Sequence, residues 1–347
     1  MDISEETRAS GVRTIAIVCN LKKAGSDSDQ YEEYDEIETV EALRTEMEGM
    51  GFAVLVIEQD AGLVDTLRES RPDFVFNIAE GIGSSRTRES QVPCILESLH
   101  IPYSGSDPLS LAVTLDKYLT NRLLKTFDVP VPHLFVVKEL KELERISFTP
   151  TKDKLLLVKP RWEGSSKGIF SDSLVSDMSA LSERVARILD DYRQPAVVEE
   201  FMEGNEITVA VCGNAAPRVL GMMKIVPRGD KIRKQFIYSI EVKRDWRNQV
   251  EYIPSSLIPS LIREQVRKHA LRAFSALELR DIARIDFRLD SKKIPRVIDI
   301  NPLPGLSPHY SDLPILYTSQ GGSYSELIRT IVYEALKRYD LGMPSVA

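Results

Sequence analysis

Two short runs carry the residues most able to do chemistry. Arg284-Ile285-Asp286-Phe287-Arg288-Leu289-Asp290 is followed, thirteen residues after Asp286, by Asp299-Ile300-Asn301-Pro302-Leu303-Pro304-Gly305. In extended chain, side chains alternate between faces, so Arg284 shares a face with Asp286, and Asp299 shares one with Asn301. If the two strands pair, three oxygen ligands and one guanidinium converge. Hard oxygen donors with few carboxylates suit Mg²⁺ that takes its remaining ligands from phosphate oxygens. Taken alone, the same alternation also describes the polar face of an edge strand, with Ile285, Phe287 and Ile300 buried behind it.

Three further segments point toward a nucleotide. Lys159-Pro160-Arg161-Trp162-Glu163-Gly164-Ser165-Ser166-Lys167-Gly168 follows an apolar run and combines small residues, hydroxyls and two lysines. Such a loop lets backbone N–H groups approach phosphate closely. Neither GxxxxGK[ST] nor GxGxxG is present, and a plain hairpin turn is the alternative reading. Val197-Val198-Glu199-Glu200-Phe201-Met202-Glu203-Gly204-Asn205-Glu206 is an apolar strand entering an acidic turn. Its backbone edge suits adenine and a carboxylate beyond it suits ribose hydroxyls; a solvated acidic turn is the bland counterpart. Residues 228–248 hold seven basic residues against three acidic ones. That imbalance fits either a lid closing over phosphates or a solvated basic hairpin.

The elements that must position these groups follow from periodicity. Residues 13–19, 52–58 and 73–78 are apolar, β-branched runs between breakers and are expected to be strands. Ile37, Val40, Leu43, Met47 and Met50 recur at helical spacing between the first two, and Gly51 stands where that helix should stop. This βαβ pattern predicts a parallel, doubly wound sheet. Helices are expected near 89–99 and 116–127, and Val129-Pro130-Val131-Pro132 reads as an extended connector. Strands then follow at 154–160, 196–201, 206–213, 218–226, 282–289 and 296–301, with helices near 177–191, 257–276 and 324–339.

Length and charge bound the function classes. The 347 residues exceed one hydrophobic core, so two or three lobes with a site between them are expected. A formal charge of -7 argues against a nucleic-acid binder. The acidic start, Met1-Asp2-Ile3-Ser4-Glu5-Glu6, lacks the basic, apolar pattern of a secretory signal, and no run reaches membrane-spanning length. A cytoplasmic protein is therefore expected. Cys19, Cys94 and Cys212 sit in apolar segments and read as buried small hydrophobes, and four scattered histidines offer no zinc spacing.

In order and in wording, these segments resemble the D-alanine–D-alanine ligase family of ATP-grasp enzymes. The likeness runs from about Phe74 onward through IPYSGSDPLSLAVTLDK, VKPRWEGSSKGI, VVEEFMEGNEITVAV, ARIDFRLD and VIDINPLPGLSP. It implies an α/β and α+β ATP-grasp fold of three lobes: an amino-terminal lobe over 1–115, a central lobe over 116–202 and a carboxyl-terminal lobe over 203–347 with a lid at about 228–248. The resemblance further implies ATP and Mg²⁺ as cofactors, small amino or carboxylic acids as substrates, and a homodimer. Residue by residue, it implies that Lys117 and Lys159 contact ATP phosphates and that Lys243 is a lid contact to ATP, with Ser165 and Ser166 orienting phosphate or substrate. Adenine would lie against Glu199, Glu200, Phe201 and Met202, ribose against Glu206, and magnesium on Asp286, Asp299 and Asn301. The implied chemistry is attack of a carboxylate on the γ-phosphate, giving an acyl phosphate from which an amine displaces phosphate. Arg284 and the Gly305 N–H would stabilise the oxyanion.

Departures from the family pattern cluster where substrates bind. After the first strand stands Asn20-Leu21-Lys22-Lys23-Ala24-Gly25-Ser26 and a longer acidic stretch instead of a glycine-rich turn with glutamate. Glu80-Gly81 replaces a His-Gly pair, with Arg86-Thr87-Arg88-Glu89 beyond it; Arg244 replaces a lid tyrosine, and the family's metal-binding glutamate is Asp299 here. Tyr310 and Ser311 lie in a segment one residue longer than the usual one. Glu80, Arg88, Arg244, Tyr310 and Ser311 are thus the candidate substrate contacts. D-Alanine is the default substrate; a ligase for other amino or carboxylic acids and a non-catalytic nucleotide-binding regulator are the alternatives.

Overall fold

A computed structural model describes residues 11–23, 29–146, 148–229 and 235–344. It contains three sheets, each made by the periodicity of its own segment. In the first, β1 (Thr14–Cys19) lies between β2 (Ala53–Glu58) and β3 (Phe74–Asn77), parallel to both. Helix α1 (Ile37–Gly49) connects β1 to β2, burying Val40, Leu43 and Met47, and ends before Gly51, whose φ of 94° a side chain rarely adopts. Helices α2 (Leu63–Ser70), α3 (Gln91–Ser98) and α4 (Pro108–Leu115) complete this lobe. Strand order reverses at β1, so the carboxyl ends of β1 and β3 open onto a crevice.

The second sheet is antiparallel. Helix α5 (Lys117–Thr126) is capped by Asp116, whose carboxylate accepts the N–H groups of Tyr118 and Leu119. After it come β4 (Leu134–Val137), β5 (Leu156–Pro160), β6 (Leu174–Val175), α6 (Met178–Asp191) and β7 (Ala196–Glu200), ordered β4-β7-β5-β6. Leu156, Val158, Ala196 and Val198 bury one face against Leu181, Val185 and Ile188 of α6. Alternation then turns Leu157, Lys159 and Glu199 the other way, toward the cleft.

The third sheet is ordered β10-β9-β8-β11-β12, all antiparallel. It comprises β8 (Glu206–Cys212), β9 (Arg218–Pro227), β10 (Val250–Pro254), β11 (Ile282–Leu289) and β12 (Pro295–Asn301). The short helices α7 (Ile240–Arg244) and α8 (Trp246–Gln249) precede β10, and α9 (Ser260–Ala276) precedes β11. Ala283, Ile285, Phe287 and Leu289 pack with Val266, Ala270, Ala273 and Phe274 of α9. That burial forces Arg284, Asp286 and Arg288 onto the opposite face. A register shift after Asp286 pairs it with Asp299 and pairs Phe287 with Val297, leaving Ile298 as a bulge. The bulge lets both Val297 and Ile300 enter the core while Asp299 stays in the cleft.

Helices α10 (Asp312–Thr318) and α11 (Tyr324–Lys337) close the chain by returning to the first lobe. Leu327, Ile331 and Val332 share a core with Leu43 and Met47 of α1 and with Ala210 and Cys212 of β8. These helices cover only one end of the third sheet, and its other end forms the floor of a cleft.

Several expectations need correction. Cys94 is exposed, because it lies on the outer face of α3. Arg88–Ser90 form a 3-10 turn, so that helix begins at Gln91. The periodicity reading passed over α2, α4, α10, β4 and β10, all short. Of the lid expected over 228–248, residues 230–234 lie outside the described residues, and α7 with α8 take up its second half.

The fully buried carboxylate of Asp281 ties the lobes together. It accepts the Gly105 N–H at 2.7 Å and pairs with Arg338 at 3.0 Å, just beyond α11. Asp281→Ala leaves a largely buried guanidinium without its counter-ion, so a loss of about 3–5 kcal/mol is expected. Urea denaturation checks this, and a loss below about 1 kcal/mol would remove the cross-lobe role.

Candidate active site

Two adjoining cavities lie between the sheets. The smaller, about 90 Å³, is bounded by the second and third sheets and lined by Lys159, Glu199, Phe201, Met202, Glu206, Asp286 and Arg288. The larger, about 380 Å³, opens at the carboxyl ends of β1 and β3 and reaches Gly305, Tyr310 and Ser311. Lys117, Glu163, Ser165, Lys243, Arg284, Asp299 and Asp312 line both. Those seven form the seam.

On the seam, β11 and β12 bring together what alternation predicts. Arg284 stands opposite Asn301 and Asp286 opposite Asp299. The Arg284 guanidinium grips Asp286, with Nε at 3.1 and 3.2 Å and Nη2 at 2.9 Å, and its Nη1 lies 3.5 Å from Asp312. Burial works against this charge and the facing carboxylates more than offset it, holding Arg284 well above its usual range. Asn301 donates Nδ2–H to Asp286 at 3.1 Å and Thr208 donates its hydroxyl at 2.5 Å. Asp299 pairs with Lys117 Nζ at 3.3 Å and keeps more than a quarter of its side chain exposed. Among the described residues no three His, Cys, Asp or Glu side chains converge as a closed metal cage. Two carboxylates and an amide oxygen at an open cleft fit a Mg²⁺ that completes its shell from phosphate and water.

Around the smaller cavity, Lys159 pairs with Glu199 at 3.1 Å, both almost wholly buried. Arg288 stacks over Phe201 at 4.5 Å and donates to the carbonyls of Phe236 and Gly204. Burial pushes the Glu206 carboxyl up to about 7, with Arg288 acting against it. Lys243 carries no hydrogen bond or ion pair from its ammonium among the described residues; burial, then Arg284, lowers its pKa. Glu200 points away from both cavities and meets this edge only through its backbone, its N–H bonding the His133 carbonyl at 2.9 Å.

The glycine-serine loop adopts a demanding shape. Ser165 and Ser166 are successive left-handed residues (φ 48° and 59°), and a Cβ at Gly168 would meet Pro160 Cγ at 2.3 Å. Each left-handed non-glycine residue costs on the order of 1–3 kcal/mol. Side chains from the first lobe hold this shape. Glu33 accepts the Gly164 N–H at 2.5 Å and both of its oxygens bind Arg88, at 2.7 and 2.8 Å. Arg88 also donates to the Trp162 carbonyl and reaches Glu163. Ser166 donates to the Tyr238 carbonyl.

This geometry revises one substrate candidate. Arg88 is 2 % exposed and lines neither cavity, because its guanidinium is used up beneath the loop. Glu80, Tyr310 and Ser311 do line the larger cavity, and Arg244 stands at its rim, paired with Glu32 at 2.8 Å. Ser311 Oγ accepts the Ser307 N–H and would sit 2.8 Å from any Cβ at Gly305. Sequence reasoning missed Asp312, which accepts the hydroxyls of Tyr238 and Tyr252 and faces Arg284. It also missed Glu33 and Glu89. The motif grammar marks none of the three: the partners of Asp312 and Glu33 lie far away in the chain, and Glu89 makes no side-chain hydrogen bond or ion pair among the described residues.

Burial also raises Glu89 to about 8 and Asp35 to about 7. Unfolded carboxyls titrate near 4, so the folded state binds more protons between roughly pH 4 and 8 and loses stability as pH rises through that window. Glu89→Gln, which cannot ionise, should reduce this decline. Melting temperatures at pH 6 and pH 9 test it, and an unchanged difference between the two would refute the assignment.

The chain has relatives among known proteins. The family model described as D-ala D-ala ligase C-terminus matches residues 123–333. The Sinorhizobium fredii protein y4sG, of uncharacterized function, is 34% identical over 300 residues, 83% of this chain and 84% of that one. The D-alanine–D-alanine ligase of Carboxydothermus hydrogenoformans is 30% identical over 292 residues, 83% of this chain and 89% of that one. The crystal structure of the Bacillus anthracis D-alanine–D-alanine ligase complexed with ATP superposes with a TM-score of 0.71 at 22% identity, covering 95% of this chain and 98% of that one, which shows the shared fold. With its three sheets and its seam of paired lysines and carboxylates, the chain belongs to the D-alanine–D-alanine ligase family of ATP-grasp carboxylate–amine ligases.

Proposed function

We propose that the smaller cavity takes ATP, that the larger takes two amino or carboxylic acid substrates, and that phosphoryl transfer and amide formation occur on the seam between them. The single observation carrying this reading is that Lys117, Ser165, Lys243, Arg284 and Asp299 line both cavities at once. Adenine rests against Phe201 and Met202 with the 199–202 backbone edge beside it, and the ribose meets Glu206. Lys117, Lys159 and Lys243 face the phosphates with the Ser165–Ser166 turn. Asp286, Asp299 and Asn301 would hold Mg²⁺, which supplies charge neutralisation to the phosphate oxygens.

The substrate carboxylate, placed at the seam, attacks the γ-phosphate and the amine displaces phosphate from the resulting acyl phosphate. Negative charge develops on the acyl oxygen, and Arg284 with the Gly305 N–H is positioned to stabilise it. Asp286 and Asp312 hold that guanidinium in place. The relatives' names suggest D-alanine for both substrates. The acidic floor of the larger cavity, where Glu80 stands, favours the second reading, a ligase for other amino acids. A cytoplasmic homodimer completes the proposal, in keeping with ATP use and with cysteines that form no disulfide.

Product mass from purified protein, Mg-ATP and mixed amino acids tests the ligase reading directly. For the metal ligands, Asp299→Ala should abolish the magnesium dependence of nucleotide affinity in calorimetry; unchanged dependence counts against the assignment. For Arg284, Arg284→Lys keeps the charge beside Asp286 and loses the fork geometry. Nucleotide affinity should persist while single-turnover rate falls roughly a hundredfold, equivalent to about 3 kcal/mol. Near-normal chemistry in a folded, ATP-binding variant would end the oxyanion role.

A further inference from the structure

Most carboxylates around the larger cavity have a cation beside them. Glu33 has Arg88, Glu163 has Lys167, Asp299 has Lys117, and Asp312 has Arg284. Three do not. Glu80 follows β3, Glu89 lies in the 3-10 turn after it, and Asp35 immediately precedes the cap of α1; all three line the cavity, and none makes a side-chain hydrogen bond or ion pair among the described residues. Glu89 is only 6 % exposed, so its carboxylate has given up nearly all its water and faces the cavity without a partner. A buried carboxylate is costly unless something neutralises it.

From these unpartnered acids we infer that one of the two substrates is a basic amino acid, with a side-chain ammonium or guanidinium seated between Glu80 and Glu89. The inference rests on the ligase reading and narrows its substrate. A neutral amino acid brings one cationic nitrogen to three unpaired carboxylates; a diamino or guanidino acid brings two. The cavity, at about 380 Å³, lies within the roughly 300–1,000 Å³ of ordinary ligand sites, which leaves room for an extended side chain next to a second amino acid. Burial and the Glu89 charge raise the Glu80 carboxyl, and burial raises Glu89, so near neutral pH both acids hold a proton in the empty cavity and ionise as a cation arrives. Lys22 does not serve as that cation, since it reaches out to Glu32 and Glu36. Arg247 does not either: it lies over Trp246 and donates to the His309 carbonyl.

Calorimetry on the full chain with a non-hydrolysable ATP analogue and magnesium provides the test, using both enantiomers of lysine, ornithine, arginine and alanine. At least one basic amino acid should bind tenfold or more tightly than either alanine, and Glu80→Gln or Glu89→Gln should erase that advantage while sparing nucleotide affinity. Both variants remove a repelling charge without changing shape, so each should fold, and either suffices. Equal or tighter binding of alanine overturns the inference, as does a basic preference that survives both variants. ATP turnover with the same panel keeps the two readings apart. Turnover confined to neutral amino acids rejects this inference and leaves the ligase standing. Absence of turnover with every amino acid rejects the ligase, and the binding ratio still decides the charge preference.

Discussion

Everything at the seam depends on one buried carboxylate, that of Glu33. It lies in the first lobe, grips Arg88 with both oxygens and accepts the Gly164 N–H of the second. Arg88 and Lys167 in turn hold Glu163, which Gln194 also meets at 2.7 Å, and the Glu163 carbonyl receives the ammonium of Lys117. Each charge in this chain is matched, which makes so dry a network tolerable. Glycine is required at 164 because a Cβ there would come within 2.8 Å of Glu33 Oε1. The loop expected to meet phosphate is therefore shaped by a lobe that contributes no residue to the lining of the smaller cavity.

That linkage explains how two left-handed serines persist side by side. The Lys167 N–H closes the turn locally on the Gly164 carbonyl at 2.8 Å, and Glu33 on one side and the Tyr238 carbonyl on the other fix its ends. Asp29 adds a third tether, accepting the Gly168 N–H at 3.1 Å and the Tyr192 hydroxyl. Preorganisation of this kind moves the cost of ordering donors from the moment of reaction to the folding of the protein. It also joins the first lobe to the proposed nucleotide site through residues two apart in the chain: Glu33 anchors the loop and Asp35 faces the larger cavity.

How much of this was legible in the sequence depends on the range of each interaction. Arg284, Asp286, Asp299 and Asn301 could be placed together because period-two alternation is local and both strands carry apolar residues at the intervening positions. The bulge at Ile298 could not be foreseen, since it satisfies the burial of Val297 against a helix more than twenty residues earlier. Arg88 was misread because a charged residue beside a motif looks like a contact for ligand, and its true partners stand 55 and 75 positions away. Asp312 opens a helix, where an acidic residue is ordinary; only the fold brings it to Arg284 and two tyrosine hydroxyls. Cys94 illustrates the opposite error, an apolar neighbourhood in sequence that is one exposed position on a helix.

The pairing of the seam also bears on how an anionic nucleotide would enter. Lys117 and Lys159, the two lysines proposed for phosphate, rest against Asp299 and Glu199. Phosphate arriving at these ammonium groups competes with carboxylates already there, and a displaced carboxylate needs a new counter-charge. For Asp299, a magnesium ion shared with the same phosphates would provide it, so metal and nucleotide affinity become linked through one ion pair. Glu199 is more deeply buried and has no such exchange on offer, which favours Lys159 keeping its partner and donating to phosphate alongside it. Lys243 differs from both. Without a fixed carboxylate and with its charge disfavoured by burial and by Arg284, it gains most from an incoming phosphate, which would put the strongest electrostatic response to nucleotide on the segment expected from the sequence to act as a lid.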